Sequence, residues 1–427
     1  MKVAIVSPIP LFPLNAGNRS RVLNLARTIR SLGHQVEFIY LESRQPESFD
    51  TDAHHEEFGA SRVTVLHRTG AALWLYRAKR VAWLLRRIAA RVAGHRDGYY
   101  TGLDELYSTT FSKQLRRLQD ERGFDAVFVE YVFYSRALDA FPDSVIKVLD
   151  THDIFADRHI PFIGRPGAQN YMFSISQKRE NDGLRRAQVV LAIQAEEGAV
   201  LSARLISTKH APEVAVLSHL LEPCAGVDSR AHADAAFLAS NNQPNRDALA
   251  YFMKEVLPRI VAVVPQFHLH LLGGIAGAVD DHPNLIKRGP VKNLADAFAS
   301  APISINPMLL GTGINIKLLE SMQYGLPVVT TRLGARGLTA NCLRGVTVVG
   351  DSDAQGFADA VIRLVRDTDH RAAEGAAARQ SARLWHDAQL QVLRRTLDGN
   401  LAQIAPEQRA SPETGWQKTE LPISVHN

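Results

Sequence analysis

The sequence predicts an α/β protein of two Rossmann-like domains, each an open parallel sheet flanked by helices. Three observations carry this expectation. Short apolar runs alternate with helical stretches along both halves of the chain. Those runs end in Pro, Asn, Asp or Gly, where crossovers begin. Residues 303–331, ISINPMLLGTGINIKLLESMQYGLPVVTT, spell one complete strand–glycine loop–helix–strand unit.

The chain opens with a strand over 2–7 that stops at Pro8 and Pro10. A loop leads to Gly17, and Val22, Leu25, Ala26, Ile29 and Leu32 then recur at helical spacing until Gly33. The next strand covers 35–41. This opening lacks GxGxxG, which disfavours a nicotinamide dehydrogenase. Gly17 and Asn18 start the helix, where they either meet an anion or acceptor or simply turn the chain. Residues 42–70 read as polar and irregular.

Residues 71–96, AALWLYRAKRVAWLLRRIAARVAGHR, hold seven Arg or Lys and no acid. Trp74, Val81, Leu85, Ile88 and Val92 fall on one helical stripe, and Arg77, Arg80, Arg87 and Arg91 on another. Such a helix suits an anionic membrane surface. The alternative is a helix packed on its own domain with a solvated basic face. Nucleic acid is not expected, because no nucleic-acid module accompanies the charge.

Strands follow over 124–130 and 145–149. The second runs into Asp150, Thr151, His152 and Asp153, at the strand end where ligands of open α/β sheets gather. His152 could bond a sugar hydroxyl or phosphate, with Asp150 and Asp153 orienting it or capping the next helix. DxxD is not DxD, so no metal is expected. After a polar helical stretch with Arg179 and Glu180, strands cover 188–193 and 214–217. The domain boundary is placed at 222–233.

The second half repeats the plan. A strand over 235–240 gives way to a polar loop, and a helix over 247–263 is expected to bend at Pro258. Strands over 268–274 and 284–288 and a helix over 291–300 lead to the glycine-loop unit. There Lys317 and Glu320 lie three residues apart, on one helical face. A cation for phosphate and a carboxylate for ribose suit a nucleoside diphosphate at an uncapped helix start. A surface ion pair is the plainer alternative. A last strand at 346–349, turn residues Asp351 and Asp353, and helices over 371–401 follow, and the tail from 406 is expected to be disordered.

The balance, 46% hydrophobic and 22% charged with net charge +5, is that of a globular protein inclined to anionic partners. No apolar run reaches bilayer-spanning length. Cys224 and Cys342 match no metal or redox spacing, which points to a reducing cytoplasm.

The motifs resemble those of GT-B glycosyltransferases, in particular glycosyltransferase family 4. They are MKVAIVSPIP with Gly17, LGHQV at 32–36, DTHD at 150–153, FLASNNQPNRDAL at 237–249, LLGG at 271–274 and GTGINIKLLESMQYGLPVV at 311–329. The resemblance implies two domains, 1–222 and 223–390, facing a central cleft. C-terminal helices (391–405) pack back, and a tail spans 406–427. It implies retaining transfer of a hexose from a nucleoside diphosphate sugar to a hydroxyl of a glycan or lipid-linked acceptor, in exopolysaccharide or envelope synthesis, at the inner face of the membrane. No cofactor or metal is implied. His152 and Lys317 would be catalytic. Gly311, Thr312, Gly313, Ile314, Asn315, Glu320, Arg246 and Gly274 would bind the donor, and Gly17, Asn18, Asp150 and Asp153 would serve the acceptor or sugar side. Thr312 stands where the family often has a first glutamate, and the loop Ser240–Gln243 lacks its usual basic pair. A catalytically silent nucleotide-sugar scaffold is the alternative these departures motivate.

Overall fold

The computed structural model describes residues 1–14, 16–42, 49–68, 70–93, 99–160, 173–206, 211–222, 224, 234–291, 294–311 and 314–400. Contacts divide the chain into two units. The first comprises Met1–Leu14, Leu25–Ser218 and the chain from Val392; the second comprises Asn15–Asn24 and His219–Gln391.

The first unit is built on strands β1 (Lys2–Ser7), β2 (Gln35–Leu41), β3 (Val63–Leu66), β4 (Ala126–Glu130), β5 (Ile146–Asp150), β6 (Val189–Ala192) and β7 (Glu213–Val216). They form one seven-stranded parallel sheet in the order β3-β2-β1-β4-β5-β6-β7. Its helices are α1 (Gly17–Ser31, whose first turns group with the second unit), α2 (Thr51–Phe58), α3 (Gly70–Val92), α4 (Thr109–Arg122), α5 (Gln177–Leu184) and α6 (Ala195–Leu205). The central strands are buried on both faces, as all-parallel sheets are. Phe111, Phe124, Phe133 and Leu149 belong to the main core.

The second unit carries α7 (Gln243–Tyr251), α8 (Leu257–Val263), α9 (Leu294–Ala299), α10 (Ile316–Gln323), α11 (Ala354–Arg366) and α12 (Thr368–Leu397, which ends in the first unit). Its strands β8 (Ala235–Leu238), β9 (Leu269–Leu272), β10 (Leu285–Gly289), β11 (Ser304–Asn306), β12 (Val328–Thr331) and β13 (Val346–Val349) form a six-stranded sheet, β10-β9-β8-β11-β12-β13.

Local chemistry explains most boundaries. Asn242 caps α7 by accepting from the Asn245 amide at 3.0 Å, and Asp353 caps α11 by accepting from the Gly356 amide at 2.8 Å. Gly33 and Gly325 take φ of 88° and 85° beyond their helices, the left-handed exit glycine allows.

Three expectations need correction. Residues 42–70 are not irregular, for α2 and β3 lie within them. The helix expected over 247–263 begins earlier and passes through a π-turn at Phe252–Val256 just before Pro258. A π-turn absorbs the amide hydrogen bond that proline cannot make. The apolar stripe that a packed α3 would turn inward faces solvent instead. The tail, the boundary segment 225–233 and residues 94–96 lie outside the described residues, as do the side chains of Arg87 and Arg91.

Candidate functional site

In an open parallel sheet, the loops beyond the C-terminal strand ends form a crevice where the strand order reverses. In the second unit that point lies between β8 and β11, and in the first between β1 and β4. The candidate residues cluster at these two places.

Beyond β11 the chain hangs from Asn306. This buried side chain donates to Thr330 Oγ1 at 3.0 Å and to the Gly334 carbonyl at 3.2 Å, and its Oδ1 accepts from Asn315 Nδ2 at 2.7 Å. Asn315 sits at the N-cap of α10, but its side chain turns to Asn306 and makes no cap hydrogen bond. The Leu318 amide donates to the Asn315 carbonyl at 3.1 Å, and the amides of Ile316 and Lys317 before it have no acceptor within the helix, at the positive end of the helix dipole. Gly311 precedes this turn, and Arg336 donates to its carbonyl at 2.7 Å. Ile314 packs against the cluster of Leu318, Leu319 and Trp385. Thr312 and Gly313 lie outside the described residues.

Lys317 and Glu320 stand on the first turns of α10. Among the described residues no hydrogen bond or ion pair joins them, so the surface-ion-pair alternative is not what the chain builds. Glu320 is 9% exposed. Burial pushes its carboxyl up to about 7, with Lys317 pulling the other way. Burial also brings the Lys317 ammonium down to about 8, against the opposing pull of Glu320. Two charges shifted by burial, with no ion pair between them, at a helix start mark this place as a candidate ligand site.

Gly17 groups with this unit. A Cβ there would stand 3.0 Å from Ile316 Cδ1, so the start of α1 lies directly against the start of α10. Asn18 Oδ1 accepts from the amide of its neighbour Arg19 at 3.0 Å. At the β8 end, Arg246 donates to Asn241 Oδ1 at 2.7 Å and Gln243 Oε1 at 2.8 Å, so amides rather than an acid hold this cation. A Cβ on Gly274 would lie 3.3 Å from the Asn241 amide, which brings the ends of β8 and β9 together.

In the first unit, Asp150 closes β5 and pairs in register with Glu130, the last residue of β4. Both are fully buried. His152, two residues on, places Nε2 2.5 Å from Glu130 Oε2. The Tyr131 ring stacks on the imidazole, centroids 4.1 Å apart and planes 10° off parallel. Tyr131 and His152 both take positive φ, 68° and 60°. Non-glycine residues hold that conformation only where their surroundings impose it, which is commoner at functional sites. An ionised Glu130 accepts from Nε2–H, and in the neutral ring Nδ1 is then the acceptor. Asp153 pairs with Arg158 at 2.9 Å. Glu180 accepts from the amides of Phe155 at 2.6 Å and Ala156 at 3.2 Å, and from Arg204 at 3.0 Å, fixing the loop after His152. Burial pushes Glu180 up to about 7.

Sequence reasoning did not single out Glu130 or Tyr131. The available signal was an acid closing an apolar strand beside the DTHD strand. One ligand atom each from Glu130, Asp150 and His152 lie within 4.8 Å of one another, a set that could hold a metal ion.

Residues 233–367 match the family model described as Glycosyl transferases group 1. No curated protein matches the sequence. Among solved structures the chain is similar to sucrose-phosphate synthase from Thermosynechococcus elongatus, with 14% identity over 94% of this chain and 100% of that one and a TM-score of 0.60. It is also similar to an S. aureus TarM variant in complex with fondaparinux, alpha-GlcNAc-glycerol and UDP, with 9% identity over 93% and 100% and a TM-score of 0.61. A third is Anabaena HepE in complex with UDP and glucose, with 12% identity over 93% and 99% and a TM-score of 0.58. At these identities the likeness shows the fold, that of GT-B glycosyltransferases. With the group 1 domain in its second unit, the chain is a glycosyltransferase.

Proposed function

We propose that the protein transfers a hexose, with retention, from a nucleoside diphosphate sugar to a hydroxyl of a glycan or lipid-linked acceptor, in synthesis of an extracellular or envelope glycan. The observation that carries this reading is the Lys317–Glu320 pair at the start of α10. The diphosphate takes the amides of Ile316 and Lys317 and the Lys317 ammonium, and Glu320 accepts from ribose hydroxyls.

The demanding step is cleavage of the sugar–phosphate bond, with negative charge growing on the leaving diphosphate and positive charge on the sugar. Preorganised amides and a cation in a poorly hydrated place stabilise that anion without reorganising. The acceptor hydroxyl attacks the anomeric carbon on the face the diphosphate leaves, and a phosphate oxygen takes its proton. No protein nucleophile is required. His152, proton on Nε2 and acceptor at Nδ1, orients a sugar or acceptor hydroxyl. Gly17 allows close approach at the start of α1, beside Ile316.

UDP is the first nucleotide to try, because the TarM and HepE structures hold it. The reading needs no metal, and activity should survive EDTA. The experiment is a thermal-shift screen of UDP, GDP, ADP and TDP with their sugars, followed by donor turnover. A ligand bound only by the folded protein must raise its melting temperature. No shift with any diphosphate would overturn the reading. A shift without turnover of any donor would favour a silent nucleotide-sugar scaffold instead. Two features motivate that second reading, Thr312 at the usual acid position and amides rather than a basic pair in the loop after β8.

A further inference from the structure

The helix α3 faces the wrong way for a packed element. Among its described side chains Trp83 is buried, with Leu73, Tyr76 and Ala90 half-buried. Tyr76 lies under the Arg68 guanidinium, 4.3 Å from ring centroid to Cζ. These four positions form the inner face. The large apolar stripe lies on the opposite side, in solvent. Trp74 is 71% exposed, Val81 60%, Leu85 62%, Ile88 50% and Val92 85%, with Leu84 beside them at 53%. These six are a large share of the exposed large hydrophobics among the described residues, gathered on one helix. Single exposed apolar residues need no explanation, but a contiguous stripe of this size marks an interaction surface.

What flanks the stripe identifies the occupant. Arg77 and Arg80 stand exposed on one side and Arg86 on the other, and Arg77 lies 5.6 Å from the Trp74 ring. The sequence has no acid from residue 70 to 96. We propose that α3 lies in the headgroup layer of an anionic lipid surface, with Trp74, Val81, Leu85, Ile88 and Val92 inserted and the arginines on lipid phosphates. At 23 residues the helix is long enough to cross a bilayer, but its cations bar that course, and no described helix is apolar enough to span. Apolar residues on one face with cations beside them is the composition of a helix that lies in the interface. A second copy of the chain fits poorly, since a two-fold contact sets these arginines against themselves with no acid on the helix to pair with.

The surface is independent of the sugar-transfer reading, and it is tested without donor. Flotation of the full chain would be compared on vesicles of phosphatidylcholine alone and with about a third phosphatidylglycerol. Wild type, Leu85→Glu/Ile88→Glu and Arg77→Glu/Arg80→Glu/Arg86→Glu would be assayed, with molar mass measured by light scattering. Wild type should partition onto the anionic vesicles only, and less as salt rises. Each variant should lose binding by about a hundredfold or more, from lost insertion or from about 1 kcal/mol per reversed charge. All changed side chains are solvent-exposed, and unaltered circular dichroism and melting confirm the fold. No binding by wild type, equal binding by the variants, or a wild-type dimer dissolved by Leu85→Glu/Ile88→Glu would overturn the proposal.

Discussion

Glu130 Oε2 lies 2.5 Å from His152 Nε2, and the two residues come together only because β4 and β5 pair in register, Glu130 opposite Asp150. The carboxylate fixes which ring nitrogen is protonated and which way the ring faces, while Tyr131 stacks on it. Glu130→Gln keeps the shape but can present its NH2 to Nε2, which favours the other tautomer. Transfer should fall by about a hundredfold, the low end of what a positioned proton-bearing group contributes. Donor diphosphate binding, read by calorimetry, should be unchanged. A variant with full activity would show that Glu130 only fills the strand end.

Lys317 and Glu320 predict a narrow pH window for nucleotide binding. The diphosphate needs Lys317 charged, and that charge is lost above about 8. The ribose hydroxyls need an acceptor carboxylate, and Glu320 gains its charge only above about 7. Affinity for UDP should therefore peak between about 7 and 8. On the alkaline side it should fall by up to about tenfold per pH unit, the limit for one proton taken up on binding. Lys317→Met should weaken binding and abolish the alkaline limb, and Glu320→Gln should abolish the acid limb. Titration calorimetry from pH 6 to 9.5 reads both. In the free protein the signs oppose each other. The raised Glu320 gives stability present below about 4.5 and lost as pH rises through 7. The lowered Lys317 gives stability present above about 10.5 and lost as pH falls through 8.

What could be read from the chain was what lies close along it. Gly311, Asn315, Lys317 and Glu320 occupy ten consecutive positions, so their common place at one helix start follows from periodicity. Glu130 and His152 are 22 residues apart, and only sheet register unites them. The strand β3 was hidden because it has only four residues, too few for an alternation to stand out. For α3, spacing gave the apolar stripe correctly, yet spacing cannot say whether protein or something else covers it. The grouping of Gly17 with the second unit had no local signal, since it depends on where α1 runs.

Gly334 predicts that the loop network is a single unit. A Cβ there would stand 2.2 Å from Thr330 Oγ1 and 2.6 Å from Asn306 Nδ2, closer than real Cβ atoms come. Gly334→Ala must displace the side chain from which Asn315 hangs. Leaving one buried amide unsatisfied costs about 1–3 kcal/mol. The expected result is a lower melting temperature together with at least about tenfold weaker UDP binding. If binding is unchanged at matched folded fraction, the Asn306–Asn315 link does not shape the helix start.

His219 predicts how the second unit responds to acid. Its imidazole is fully buried, with Nε2 3.3 Å from Asn24 Nδ2, and its carbonyl accepts from Trp385 Nε1 at 2.9 Å. Burial, and then the nearby Arg21 charge, bring its pKa down to about 3. In the unfolded chain the same ring protonates through about 6.5. The native state therefore holds stability above 6.5 that drains as pH falls towards 3, because only the unfolded chain takes up the proton. At pH 5 the loss is about 2 kcal/mol from this residue alone. His219→Gln keeps an acceptor towards Asn24 and does not titrate. Its melting temperature should fall less steeply than wild type between pH 7.5 and 5, even if it starts lower. Parallel curves would mean that His219 meets the acid already open to solvent, and that the packing of Asn24 and Trp385 around it does not hold through the transition.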